Sequence, residues 1–586
     1  MAPRNRWLRA GLAALIAALL YLPGLGKPAL WEPDEGRYAE IAREMVMSGD
    51  YITPRDNYVR YFEKPPLVYW AESAAIHLLG PTELAVRLPA ALVTIAEVAT
   101  ACVIGEAMFG AAAGFVGAIA LALCPLVFAF GRFATLDPAL AFFLTAAIGA
   151  FYLAALSEDF GGGAGRIWML VAAAMLALGT LAKGPVALML GGAIALAWIL
   201  LEHRGPEIRR MPLVSCAVVY AAITTPWFVL AESHNPGFIH FFFVHEHLQR
   251  FVSSHEHGWG PYFFIPVVLG GAWPWLYFVP AGISTIRSMP ETSRPRAESA
   301  LRLLVAWFAI IFVFFSIPRS KLGSYILPAI PPLALLSGLA LSQLASMDRE
   351  RKTRLFHRFA LLNTAVAAIA IVVLLIIRAK MAAGLAAHGI LIALVIAAGS
   401  VAAWQFAIRA RPTGYVVASI ALAMVLATWL GERARIDAGA RNTYRNLARQ
   451  VGPFRHCTLG SYRHYVQSLP FYTGRREVLV EYWGELAPFA QTPEERAGFI
   501  GTAARLREVW ASDRCMVLIA NRKDLAGLMK SLTPTPRIVG CEGKKLALYN
   551  RADTPAAPQC VPGGTSRPAA FQQPATPPLG NGAAGR

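Results

Sequence analysis

The chain has 586 residues, 56% of them apolar by a broad count and only 15% charged, with a mean hydropathy of +0.47. A soluble protein of this size sits nearer one quarter charged, so an ordinary soluble enzyme, a disordered scaffold and a small disulfide-built module are excluded; a polytopic α-helical membrane protein is left. The net charge of +18 fits basic loops that orient membrane helices and shows no aromatic-interleaved basic stripe of the kind that tracks nucleic acid.

Apolar runs begin at once. The first, about 8–22, follows Arg4, Arg6 and Arg9 and reads as a retained helix with its N-terminus inside. Further runs near 84–106, 110–130, 138–156, 167–182, 186–201, 212–231, 261–285, 303–317, 326–345, 359–377, 388–408 and 415–431 make about thirteen spans of a ~30 Å bilayer. Alternate loops carry the arginines, among them Arg204, Arg209 and Arg210, then Arg287, Arg294 and Arg296, then Arg349, Arg351 and Arg354. These loops are therefore expected inside, and everything after 431 outside.

The first outer loop, about 24–82, is expected to hold two amphipathic helices on the membrane surface: one beginning at Asp34, the other from Leu67 to Leu79 after Pro65-Pro66. The ordinary role of an Asp at a helix start is an N-cap, for Asp34 and equally for Asp137 in RFATLDP. Two acids at the mouths of different spans are a stronger signal, because charge at that depth is costly unless used or paired. The third outer loop gathers His234, His240, His245, His247, His255 and His257, half of the protein's twelve histidines, with Glu246, Glu256 and Arg250. HExxH is absent, which disfavours a zincin protease. A divalent ion held by one of these histidines and a first-loop carboxylate stands beside a solvated histidine cluster as an open alternative. Arg37, Lys64, Lys183 in LAKGP, Arg250, and Arg319, Lys321 and Tyr325 in PRSKLGSY bring cations to the same membrane face. Such a set suits a phosphate or pyrophosphate leaving group.

The C-terminal part, 432–552, reads as a small soluble α/β domain. Helices are expected at Asn442–Val451 and Thr492–Ser512, and strands at Glu477–Tyr482, Cys515–Ala520 and Leu546–Tyr549. Residues 553–586, rich in Pro, Gly and Ala, are expected to be disordered. Cys102, Cys124 and Cys216 lie in apolar runs; any pairing among Cys457, Cys515, Cys541 and Cys560 is left open by their spacing. The expected division is thus 1–431, 432–552 and 553–586.

The ordered motifs WEPDEGRYAEIAREM, GDYITP, YFEKPPLVYW, RLPA, RFATLDP, LAKGP and PRSKLGSYILP resemble the GT-C membrane glycosyltransferases. Among these they resemble most the undecaprenyl phosphate-aminoarabinose:lipid A transferases, relatives of the protein O-mannosyltransferases. The resemblance implies a GT-C fold in a multi-pass protein of the bacterial inner membrane, with a cytoplasmic N-terminus and a periplasmic C-terminal domain. It further implies transfer of a sugar, 4-amino-4-deoxy-L-arabinose, from a polyprenyl phosphate to lipid A phosphate, and with it polymyxin resistance. Another polyprenyl-phosphate sugar with a glycan or protein acceptor, or transport of a lipid-linked sugar, are the alternatives. By the same resemblance Asp34 and Asp137 match the family's acidic residues, and Lys64 and Arg250 bind the donor phosphate. Tyr61 and Tyr325 contact that phosphate beside Arg37 and Lys183, while Glu63 and His245 match the ligands of a divalent metal such as zinc. Asp34 is a general base if the acceptor is a hydroxyl, and an orienting or charge-stabilising group if it is a phosphate.

Overall fold

The computed structural model describes residues 3–157, 160–249, 258–381, 384–439, 443–553 and Cys560. Most of the tail from 553 onward, and Arg250, His255, Glu256 and His257, lie outside them, as does the side chain of His247. The described residues form two compact units. The first holds Met1–Arg445 with two later stretches, Tyr465–Glu477 and Trp483–Gly498; the second holds Asn446–His464, Val478–Tyr482 and the remainder from Phe499.

Among the described residues of the first unit, nine helices are long and apolar enough to cross a membrane, and a pair bent by 92°, Pro261–Gly271 with Trp275–Arg287, makes a tenth if it counts as one span. A count of thirteen rests on three further helices. Pro3–Tyr21 has 19 residues, Val186–Leu201 has 16, and Ala111–Ala122 has 12, only ~18 Å of rise. Without a hydrophobic driving force between helices in lipid, close packing selects small residues where helices cross. A Cβ added at Gly338 would lie 2.3 Å from the backbone nitrogen of Gly117, and one at Gly114 2.3 Å from that of Glu106. Those glycines let Ala111–Ala122 wedge between Glu83–Phe109 and Ile330–Ser342.

Both expected first-loop helices form, Asp34–Ser48 and Leu67–Leu79. The first is buried even at its polar residues Glu35, Glu40, Arg43 and Glu44, and much of what covers it comes from the two late stretches of the chain. Gly36, the glycine of the DEGR run, is where they meet: a Cβ there would lie 2.5 Å from the Ser468 nitrogen. Glu32 accepts from the backbone nitrogens of Gln467 and Ser468 at 3.1 and 3.0 Å, at the start of helix Ser468–Thr473. Between the first-loop helices, RDNYVR makes a two-stranded hairpin, Arg55–Asp56 with Val59–Arg60. Its turn residues Asn57 and Tyr58 both have positive φ (55° and 65°), as a primed hairpin turn requires and as Asn tolerates well. The Asn57 amide exchanges two 2.8 Å hydrogen bonds with the Glu477 backbone. The Tyr465 hydroxyl donates to Asp56 at 2.6 Å, and Arg60 forks onto Glu495 at 2.7 and 3.1 Å.

The second unit is built on a six-stranded mixed sheet in the order 499–500, 477–480, 458–462, 516–521, 545–549, 537–542. Thr458–Tyr462 runs parallel to Met516–Asn521, and the last two strands are antiparallel neighbours. Trp510, Met516, Leu518, Leu528 and Leu548 fill its core. Disulfides join Cys457 to Cys515 and Cys541 to Cys560. The helix expected over Thr492–Ser512 is not continuous. It breaks into Pro493–Arg496, the strand Phe499–Ile500 and Ala503–Ala511. The Arg476 guanidinium takes the carbonyls of Glu494 and Glu495 at 2.7 Å each and stands where a Cβ on Gly498 would go, which ends the first turn.

Candidate active site

Glu35 ties together the segments that carry the two candidate acids. It accepts two 2.7 Å hydrogen bonds from the Arg87 guanidinium, one from the Trp31 nitrogen at 2.9 Å and one from the Ala134 nitrogen at 2.9 Å. Both partners of the ion pair are fully buried, and Arg87 spends its other protons on the carbonyls of Leu25, Pro28 and Ala29. One carboxylate therefore pins the residue after Asp34 to the loop that leads into Asp137. Removing one member of a buried, fully bonded pair costs about 3–5 kcal/mol. Glu35→Ala is accordingly expected to lower the melting temperature sharply in detergent and to lose activity with it. A variant that melts like the parent would show that the pair does not hold these segments together.

Asp34 and Asp137 are each the first residue of a helix, Asp34–Ser48 and Asp137–Ala155, and neither helix has a side-chain cap. The capping role open to both from sequence is not the one they take. Asp34 receives Arg37 at 3.4 Å, and the same guanidinium is ion-paired with Glu485 at 2.9 Å while lying 5.8 Å from the Tyr61 ring centre. Glu485 also accepts from Gln467 at 2.5 Å. Burial raises the Asp34 carboxyl above the usual aspartate range. Arg37 opposes this, the Asp137 charge adds to it, and Lys183 counters it from close by. Tyr61 is buried, its ring 6.4 Å from Phe489.

The second acid is held differently. Asp137 is buried, ion-paired with Lys183 and hydrogen-bonded by the Thr135 hydroxyl at 3.2 Å. Lys183 ends its helix at LAKGP, with its ammonium 4.2 Å over the Tyr325 ring, which packs on Phe315 at 5.6 Å. Lys64 donates to Glu246 at 2.6 Å and to the Glu63 carbonyl at 2.9 Å, and is near enough to Lys183 to repel it. The structure thus brings Asp34, Arg37, Tyr61, Lys64, Asp137, Lys183 and Tyr325 into one electrostatic neighbourhood, alternating acid and cation. Arg250 lies outside the described residues.

Glu63 acts electrostatically on Tyr61 and Glu485, and the His245 ring stacks on Phe241 at 5.2 Å. Among the described residues, neither belongs to a group of three or more converging metal-ligand atoms. Among the described residues the one such group is His456, Cys457 and Cys515, and there the two thiols are joined as a disulfide. The donor set for a metal at Glu63 and His245 is therefore incomplete among these residues. Sequence reading missed Glu485, the Glu35–Arg87 pair and the tie from Glu246 to Lys64. The RLPA run and the histidine-rich loop contained Arg87 and Glu246, but nothing local marked their partners.

Two family models match the chain. Residues 63–229 match the dolichyl-phosphate-mannose-protein mannosyltransferase model, and residues 446–549 the aminoarabinose transferase C-terminal domain. The undecaprenyl phosphate-alpha-4-amino-4-deoxy-L-arabinose arabinosyl transferase of Enterobacter sp. (strain 638) is 33% identical over 64% of this chain and 65% of its own length. That of Erwinia tasmaniensis is 34% identical over 56% and 58%. The alignments thus span less than two thirds of these relatives. The crystal structure of ArnT from Cupriavidus metallidurans bound to undecaprenyl phosphate superposes with a TM-score of 0.82 at 28% identity, covering 94% of this chain and 99% of that one. The chain has the fold of ArnT over nearly its whole length. Its ArnT-type fold covers both units, and with it the expected class, a multi-pass helical membrane protein with a C-terminal α/β part, is borne out.

Proposed function

We propose that the protein is a membrane glycosyltransferase that moves 4-amino-4-deoxy-L-arabinose from undecaprenyl phosphate to a phosphate of lipid A. The observation that carries this reading is the pairing of two acids, each opening a helix it does not cap, with three cations: Asp34 with Arg37, and Asp137 with Lys183 beside Lys64. The names of the relatives and the undecaprenyl phosphate in the ArnT crystal structure support it.

In this reading Lys64, with Arg250, binds the donor phosphate and neutralises the charge that grows on it as the glycosidic bond breaks. Lys183 and Tyr325 border the same space. The lipid A phosphate is already an anion, so its oxygen attacks the anomeric carbon without a base. Asp34 faces the oxocarbenium-like charge and orients the sugar; with a hydroxyl acceptor the same carboxylate would be the base. Asp137 holds Lys183 in place. Glu63 and His245 would be two of the ligands of a divalent ion. The N-terminus is cytoplasmic and the second unit periplasmic in the inner membrane. Its two disulfides suit that oxidising compartment. The boundaries 1–431, 432–552 and 553–586 are proposed as the functional division, and polymyxin resistance as the consequence in the cell.

The test is transfer by purified protein from undecaprenyl-phosphate-aminoarabinose to lipid A, read by mass spectrometry with and without chelator. A gain of one aminoarabinose is expected. Intact protein and donor with no gain would overturn the reading in favour of another sugar or acceptor, the direction in which the mannosyltransferase match over 63–229 points. Transfer that the chelator leaves unchanged would dismiss the ion.

A further inference from the structure

The PRSKLGSY motif supplied Tyr325 to the site, but its two cations, Arg319 and Lys321, are not used there. They line a separate cavity of about 610 Å³ with Trp259, Phe312, Val313 and Ser316, at the end of helix Arg294–Ser316. That volume is within the range of ligand sites. The wall is mainly apolar, and Trp259 and Val313 are exposed, as fits a groove open to lipid chains.

Three observations make this more than an apolar recess. Lys321 is only 2% exposed, and among the described residues its ammonium meets no carboxylate, only the carbonyls of Trp259 and Pro318. A buried ammonium is seldom found without an anion. The Ser316 hydroxyl is buried with no hydrogen-bond partner. Arg319, exposed beside them, also has no carboxylate partner among the described residues. The backbone that presents these groups is fixed, since the Trp259 nitrogen bonds the Arg319 carbonyl at 3.2 Å and Gly258 bridges to Ser320. The cavity is also next to the chemistry. Ser316 follows Phe315, which packs on Tyr325, and Tyr325 lies under the ammonium of Lys183.

The reaction brings together two lipid phosphates, and Lys64 serves the donor. We propose that this cavity docks the acceptor lipid, with its phosphate against Arg319, Lys321 and the Ser316 hydroxyl and an acyl chain along Phe312, Val313 and Trp259. The proposal rests on the transferase reading, and a binding experiment separates the two. Lipid A, lipid A stripped of its phosphates, and phosphatidylglycerol are each titrated onto the purified full-length protein in detergent, without donor, and read by native mass spectrometry. Arg319→Glu changes an exposed side chain and Val313→Trp fills the groove from an exposed position, so both are expected to fold. Each should weaken lipid A binding at least about tenfold, and the dephosphorylated lipid should bind the parent as weakly. Equal binding by parent and both variants, or phosphatidylglycerol binding as tightly as lipid A, would overturn the docking site. Transfer by the parent alongside Arg319-independent binding would remove the docking site and leave the function. Arg319-dependent binding with no transfer would do the reverse.

Discussion

Asp34→Asn is expected to reduce transfer at least ~10²-fold, the scale lost when one preorganised charge aimed at a developing transition state is removed, while the protein remains folded. The two halves of this expectation have separate grounds. Asn keeps the shape and removes only the charge. Asp34 caps no helix and makes one long 3.4 Å contact with Arg37, so little structural energy is tied to it. Its pH behaviour gives a second readout. Burial holds its carboxyl above the usual aspartate range, so the ionised form is lost on acidification earlier than for an exposed aspartate. Transfer should therefore show an acid limb above that range in the parent, and the limb should be absent from the residual activity of the variant. Because the folded state holds this proton more tightly than the unfolded chain does, Asp34's contribution to stability is present below the unfolded pKa and is lost as pH rises through the folded one. An acid limb in activity thus cannot be blamed on Asp34-driven unfolding. A variant with near-parental transfer, or one whose pH profile superposes on the parent's, would remove Asp34 from the chemistry and favour a transporter, which needs a phosphate site but no essential carboxylate.

Lys64→Ala should be the other large loss, with kcat/KM for the donor falling ~10²–10³-fold. Its ammonium makes a 2.6 Å bond to the buried Glu246 and lies near Lys183, so truncation removes one cation from the phosphate's neighbourhood and also takes a partner from a buried acid. The double variant Lys64→Ala/Glu246→Gln separates these effects. If Lys64 acts on the phosphate, the double variant recovers stability but not turnover. If it acts only by holding Glu246, the double variant recovers both, and the assignment fails.

Much of this arrangement was legible in the sequence because each motif carries its own local physics. An acid opening a helix can be read within a dozen residues, and Asp34, Lys64, Asp137 and Lys183 were singled out as charges gathered at the outer ends of spans, whereas the hairpin at Asn57 was not read at all. Nor was Glu485. EYWGEL looks like any surface loop, and its meaning comes only from Arg37, with which it pairs at 2.9 Å across most of the chain. The Glu35–Arg87 pair was hidden for a related reason: a buried carboxylate with four donors and a solvated one have the same letter. Thr492–Ser512 was misread as one helix because helical periodicity does not register a guanidinium arriving from Arg476 to take the carbonyls. The number of spans is least legible, since helices of 12 and 16 residues fall between a core helix and a crossing.

The late stretches Tyr465–Glu477 and Trp483–Gly498 belong to the helical unit and bring Glu485 to Arg37 and Tyr465 to Asp56. Among the described residues, every helix long and apolar enough to cross a membrane precedes these stretches in the chain. On the proposed reading, a chain terminated before Glu485 lacks the carboxylate that braces Arg37 beside Asp34 and is expected to be inactive in transfer.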